Sequence, residues 1–435
     1  MAATPPPASV SSSPPPVRRQ TTFASLRIRN YRIYAFGQLV SNTGAWVQRI
    51  AQDWLVLSIT GSATAVGLTT ALQFLPTLLF GLFGGVLADR YPKRRLLLAT
   101  QLGIASTASV LACLTLTDRV QAWHVYVVAF VLGCVTAVDN PTRQSFVNEM
   151  VGPEQLRNAI SINSSVFQSA ALVGPAISGA LIEAVGSGYA FAINAVSYLA
   201  PIVALIMIRP DQLNTLPKAA TTGRLSDGIR YVVRRPHMLW PTVLVGVFGM
   251  FTTNLPVTLA AYAKTAFHAG AGGYGLLSST VAVGSLIGAL ISARRPRTRL
   301  RGLVTICFAL AALEILASLA PNQWIFRLFL SAVGATTLLL LISANSMVQL
   351  AAPDGIRGRV MGVYLLVFIG SGALGGPLVG GIDQHLGPRF GMFLAGAVPA
   401  LTAAVVAVKL ARDLRLRVRL RLHGPLRRLV AVVPE

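Results

Sequence analysis

Four polar side chains, Gln38, Asn42, Arg49 and Asp53, interrupt an otherwise apolar stretch at relative positions 0, 4, 11 and 15. At 100° per residue they fall within about 60° of one another on an α-helix, as a stripe about 22 Å long. Gln48 and Gln52 widen it. Arg49 and Asp53 stand four apart and can pair on one helical face. Two readings of that pair stay open. A carboxylate there can exchange a proton as Arg49 or a ligand competes for it, or the two charges form a permanent ion pair with no part in turnover. Hydrocarbon cannot solvate such a stripe, so other helices or water must cover it.

Other polar groups sit in similar surroundings. Asp139 and Arg143 repeat the four-residue spacing and read as a conformational latch rather than a proton site. Glu314 is a lone acid in an apolar run, a candidate for coupling or an inert buried acid. Asn254 and Pro256, in "TTNLP", interrupt a helix at its middle, and Asn345 lies on a later apolar segment. The five histidines lie near or beyond the ends of apolar runs, so neither a metal cluster nor a nucleophile–base pair is legible. None of the four lysines follows a glycine, which excludes a phosphate-loop Gly-Lys. We therefore expect no enzyme activity, no cofactor and no metal.

These side chains need helices that cross a membrane. Only 12% of residues are charged, about half the soluble average. Apolar runs of about twenty residues, each enough to span roughly 30 Å of hydrocarbon, recur along the chain. We place helices at 31–58, 65–88, 96–117, 122–147, 159–184, 188–208, 239–263, 272–293, 302–320, 323–350, 359–382 and 388–410. Gaps after odd-numbered spans, such as "ITGSAT" and "APNQ", nearly lack Lys and Arg, whereas those after even-numbered spans carry "DRYPKRR", "RRPRTRLR" and "APDGIRGR". This asymmetry puts both termini and every even gap in the cytoplasm of a cell inner (plasma) membrane protein. It also explains the net charge of +23 through bilayer orientation, without nucleic acid. Cys113, Cys134 and Cys307 lie inside apolar segments, so no disulfide is expected.

The halves repeat. "GPEQLRNAIS" from Gly152 returns as "APDGIRGRVM" from Ala352, "GPAISG" from Gly174 as "GPLVGG" from Gly376, and Trp123 as Trp324, at offsets of 200–202 residues. The expected organisation is a disordered cytoplasmic tail (1–30), a six-helix bundle (31–208), a cytoplasmic linker (209–238), a second six-helix bundle (239–410) and a basic cytoplasmic tail (411–435). The fold class is thus an all-α polytopic membrane protein of twelve helices in two pseudo-symmetric bundles.

"GVLADRYPKR" at 85–94 resembles the signature loop of the major facilitator superfamily, with Pro92 in place of the usual glycine. "GALGGPLVGG" (372–381) fits that superfamily's Gly-Pro helix-packing pattern through Gly372, Gly376, Pro377, Gly380 and Gly381. "AALVGPAISG" (170–179) nearly matches it through Gly174, Pro175 and Gly179. Residues 41–68 and 139–151 are similar to the group of enterobactin exporters and transmembrane secretion effectors. One departure is Ala129, where drug antiporters usually carry an arginine four residues before a glycine.

The resemblance implies a latch built from Gly85, Asp89, Arg90, Lys93 and Arg94. In the outward-facing state Asp89 would meet the backbone near Gly358–Met361, and a loop cation would meet an acid on span four, for which Asp139 is the candidate. It also implies a central cavity walled by spans one, four, seven and ten, with Gln38, Asn42, Gln52, Asn254 and Asn345 on its surface. Asp53, Arg49 and Glu314 are the candidates for coupling. The function expected is a monomeric secondary transporter that exports a small amphipathic molecule, drug or siderophore-like, by alternating access and proton antiport. Import of a polar nutrient uses the same fold, and a membrane sensor or scaffold without transport is the alternative of another class.

Overall fold

The computed structural model describes residues 23–214, 225–294, 299–353 and 355–413, and two further strands. Its helices are α1 (Arg29–Thr60), α2 (Ala63–Arg90), α3 (Lys93–Leu116), α4 (Ala122–Val185), α5 (Ser187–Ser197) and α6 (Leu199–Met207) in the first half. The second half has α7 (Leu225–Val233), α8 (Pro236–Thr252), α9 (Leu255–Ala261), α10 (Gly270–Arg294), α11 (Leu300–Ser318), α12 (Gln323–Ala351), α13 (Arg357–Leu386) and α14 (Pro388–Asp413). Among the described residues, ten stretches are long and apolar enough to cross a membrane. The α1 helix adds an eleventh crossing, its polar stripe lowering its mean hydropathy.

The twelfth comes from α4. Its 64 residues would reach about 96 Å if straight, three times a hydrocarbon core. It bends at Gly152, whose φ of 69° and ψ of 173° lie outside the helical region. That positive φ costs a glycine little. Spans four and five are therefore two helices, as expected, that meet directly at the non-helical Gly152 and form the two limbs of α4. The chain is a multi-pass membrane protein with the expected all-α architecture of two six-span halves. Large apolar side chains such as Phe83, Leu328, Leu374 and Leu401 face outward, as a lipid-solvated surface requires.

Several expected boundaries move. Part of the expected tail is structured: a 3-10 turn at Ala24–Arg27 places Ser25 against Asn158, its N–H and hydroxyl both donating to Asn158 Oδ1 at 2.9 and 2.7 Å. The expected linker contains a 3-10 turn at Pro210–Gln212 and α7, and α8 starts at Pro236. Residues 1–22, linker residues 215–224, 295–298 and Asp354 lie outside the described residues. Of the C-terminal tail, backbone pairing is described for Leu416–Leu420 with Val430–Pro434, as antiparallel strands.

One end of the bundle carries the 89–95 loop and Arg357; we call it the basic end, and the opposite one the neutral end. Trp123 and Trp324 are exposed at the neutral end, where indole rings suit a headgroup layer. The halves meet through glycines there. A Cβ on Gly67 would strike the backbone of Gly376, and one on Gly380 the backbone of Ala63 and Thr64, so α2 and α13 pack backbone to backbone. A Cβ on Gly179 or Gly275 would strike the other helix in the same way, joining the second limb of α4 to α10 next to Pro175. The two expected packing motifs thus make equivalent contacts across the pseudo-two-fold. Pro377 lies within α13 beside Gly376. Gly174 seats Trp46, and Gly372 lies against Phe74 and Thr253. Gly381 makes no such contact, since a Cβ there meets nothing within 4 Å; the same holds for Gly85 of the loop motif, whereas its neighbour Gly84 lies against Ala137.

Gly376→Val is expected to prop the neutral end open, since overpacking a close helix contact costs about 1–3 kcal/mol, roughly 5–150-fold in a conformational equilibrium. Thiol labelling of a cysteine placed at Ala63 should rise in this variant; unchanged labelling would show that the contact does not hold the end shut.

Candidate functional site

Between the halves lies a cavity of about 1000 Å³. It runs from Trp46 and Arg49 at mid-span toward the basic end at Asn148 and Leu156, beside the Gly152 bend. The neutral end is closed by the glycine contacts and by three hydrogen bonds between the halves. Tyr274 Oη donates to Asp53 Oδ2 at 2.9 Å, Lys264 Nζ donates to the Leu57 carbonyl at 2.7 Å, and the Ala63 N–H donates to Gln384 Oε1 at 2.8 Å.

The expected stripe divides between these two places. Gln38, Asn42 and Arg49 line the cavity. Asp53 is buried one turn further along, against Tyr274 of α10, whose ring also stacks on Trp54. Of the two readings of Arg49 and Asp53, the permanent ion pair is not formed: the carboxylate accepts from Tyr274 across the inter-half contact, while the Arg49 guanidinium lies over the Trp46 ring at 5.5 Å. Gln48 is held by Asn194, whose Nδ2 donates to its Oε1 at 2.5 Å. Gln52 misses the main cavity and borders an adjoining recess of about 140 Å³ with Gln48, Gln73 and Asn194.

Asp139 and Arg143 do pair. Arg143 Nε donates to Asp139 Oδ2 at 3.0 Å, and a second bond from its Nη2 makes the contact two-pronged. Thr100 Oγ1 and Gln101 Nε2 donate to Asp139 Oδ1 at 2.7 and 2.8 Å, and Arg143 Nη1 donates to Gln38 Oε1. The network ties spans one, three and four together and occupies the Asp139 carboxylate fully, which leaves no place for a loop cation.

The 89–95 loop is held elsewhere. Lys93 pairs with Glu149 at 2.6 Å, so the acid on span four is Glu149 rather than Asp139. Arg94 donates to the Leu205 and Ile206 carbonyls at 2.7 and 2.9 Å, satisfying the last turn of α6. Asp89 and Arg90 are exposed, and among the described residues neither has a hydrogen-bond or ion-pair partner. The contact expected between Asp89 and Gly358–Met361 is absent, as suits a cavity that reaches this end.

Three expected site residues lie away from the cavity. Glu314 is buried within the second half on α11, 1% exposed, and among the described residues its Oε2 has no hydrogen-bond partner. Asn254 is a structural tie. At the break before α9 its backbone N–H bonds to Phe251, so its Nδ2 takes over the Met250 carbonyl at 2.8 Å and reaches the Gly372 carbonyl at 3.2 Å. Asn345 is half-buried on α12, outside the lining. Span seven contributes nothing to the walls, and span five does.

Pattern reading missed that fifth span. Asn140, Gln144 and Asn148 fall at spacings of four along the first limb of α4, and Asn163, Phe167 and Gln168 follow on the second. This helical periodicity was present in "NPTRQSFVN" and "NSSVFQS". Trp46 meets Phe167 edge to face, at 5.8 Å between centroids. Among the described residues the second half supplies only Ala289, Leu338 and Ile342. The cavity therefore has an amide-rich wall with aromatic patches from the first half and an apolar wall from the second. Asp383 is a further buried acid that pattern reading passed over; it accepts from Thr258 Oγ1 at 2.8 Å and ties α13 to α9.

Residues 20–424 match the protein family described as transmembrane secretion effector. The multidrug efflux pump Tap of Mycolicibacterium fortuitum is 28% identical over 396 residues, covering 87% of this chain and 94% of the pump. Macrolide efflux protein A of Streptococcus pyogenes is 25% identical over 228 residues, 52% of this chain and 56% of that one. A solved bacterial homologue of the human lysosomal transporter Spinster, described as inward-facing and unoccupied, superposes with a TM-score of 0.71 at 14% identity, over 89% of this chain and 98% of its own. That likeness is one of fold.

The Asp139–Arg143 pair is expected to behave as one unit. Asp139→Asn and Arg143→Gln should each lower the melting temperature in detergent, and the double variant should lose less than their sum, with a coupling of about 0.5–3 kcal/mol. Strict additivity would mean that the two charges do not stabilise each other.

Proposed function

Because the chain belongs to the transmembrane secretion effector family of major facilitator transporters, we propose that it exports a small amphipathic molecule, drug or siderophore-like, by alternating access. It is a membrane transporter of a small molecule, not an enzyme. The observation that carries the export reading is the cavity of about 1000 Å³, amide-lined on one side and apolar on the other, which reaches the basic end. By the distribution of Lys and Arg that end is the cytoplasmic one, with both termini beside it, in the plasma membrane. A substrate enters there, and the reverse tilt of the halves releases it beyond the neutral end. The names of the relatives favour efflux, and nothing in the cavity demands a polar nutrient. The protein works as a monomer, each chain holding its own cavity.

Proton antiport supplies the energy, with Asp53 as the proton carrier. Its carboxylate accepts a hydrogen bond from Tyr274 across the closed end, so opening that end must break the bond and expose the acid. Protonation from the far side then removes the acceptor charge while the end is open. Glu314, enclosed within one half, has no such link to the motion.

In vesicles with the basic end outward, an amphipathic dye is expected to accumulate in the lumen when the lumen is acid, with protons leaving in exchange. Asp53→Asn should keep passive dye exchange but lose accumulation driven by the gradient. Full accumulation in that variant would remove Asp53 from the coupling, and accumulation indifferent to the gradient would remove proton antiport.

A further inference from the structure

The charge balance of the cavity wall assigns a substrate class. Its charged lining residues are Arg49, Asp139 and Arg143. The last two neutralise each other, and the Asp139 oxygens are already taken by Thr100, Gln101 and Arg143. Arg49 is left over. Among the described residues it makes no ion pair, because the one acid within a helical turn of it, Asp53, is turned away onto Tyr274. Its guanidinium carbon lies 5.5 Å from the Trp46 ring centroid, a cation–π contact that uses none of its N–H donors. A half-buried guanidinium at mid-membrane gains most from an acceptor that carries the opposite charge.

The surroundings specify the rest of the ligand. Trp46 and Phe167 form an aromatic corner beside Arg49, and Leu338 and Ile342 face it from the second half. We propose that the cavity takes amphipathic anions: a flat apolar body lies between the aromatic corner and the apolar wall, and a carboxylate meets Arg49 edge-on through two N–H donors. Lipophilic cations are disfavoured, since with Asp139 occupied the lining offers them no free carboxylate. This inference rests on the cavity being the substrate site and adds the sign of the substrate's charge.

The test uses three pyrene probes of one shape and different charge, pyrenebutyrate, pyrenebutanol and pyrenebutylamine, titrated against the full chain in nanodiscs of phosphatidylcholine. We expect the carboxylate to bind at least tenfold tighter than the alcohol and the amine to bind weakest. Arg49→Gln should collapse the gap between carboxylate and alcohol, and Arg49→Lys should restore part of it. Adding phosphatidylglycerol to the nanodisc should leave the carboxylate affinity within twofold; strong competition would identify the anion as a lipid headgroup and overturn the assignment to a soluble substrate. Equal binding of carboxylate and amine, or a preference that survives Arg49→Gln, would also overturn it. If the three probes bind alike and are all pumped in the vesicle assay, the charge assignment fails while export stands. If none binds and none is pumped, both fail.

Discussion

Hydrocarbon offers no hydrogen bonds, so every polar side chain in these spans must find its solvent inside the protein. That requirement shapes the first half. The α1 helix carries too many amides and charges to face lipid on that side, and the packing hides them in two ways. Toward the basic end they border a cavity, and toward the neutral end they meet the partner half. Span six covers Gln48 through Asn194, and Ser178 of span five bonds to the Val47 carbonyl at 2.8 Å. The glycines of the packing motifs make this burial feasible by letting helix backbones approach closely where side chains would hold them apart.

The same constraint separates two kinds of intramembrane charge. Asp139 and Arg143 satisfy each other and three neighbouring side chains, so they form part of the scaffold. Asp53 accepts one hydrogen bond, from a phenol across the inter-half contact, and Arg49 faces one indole ring; the two charges act on each other only through space. A group with one replaceable partner can change that partner when the halves move; a group with two or three cannot do so without a large cost.

The twelve spans, their repeat and the basic-end loops were readable because they rest on length, hydropathy and local composition. The placement of Gln38, Asn42 and Arg49 was readable because the stripe is a property of one helix. The destination of Asp53 was not, since it depends on where α10 touches α1, a contact between residues 221 apart in sequence. Asn254 and Glu314 show the weakness of equating intramembrane polarity with a pathway. The asparagine repairs a helix break that Pro256 itself announced, and the glutamate is enclosed within one half. Glu149 was overlooked as the Lys93 partner because it lies just before the Gly152 bend, where the linear sequence reads as a loop.

The unequal walls of the cavity have a mechanical consequence. Among the described residues, all its hydrogen-bonding side chains ride on the first half, and the three residues contributed by the second are Ala289, Leu338 and Ile342. A bound molecule anchors to one body only. The other can rock past it without exchanging directional bonds, sliding over it as an oiled bearing surface turns about a pinned axle.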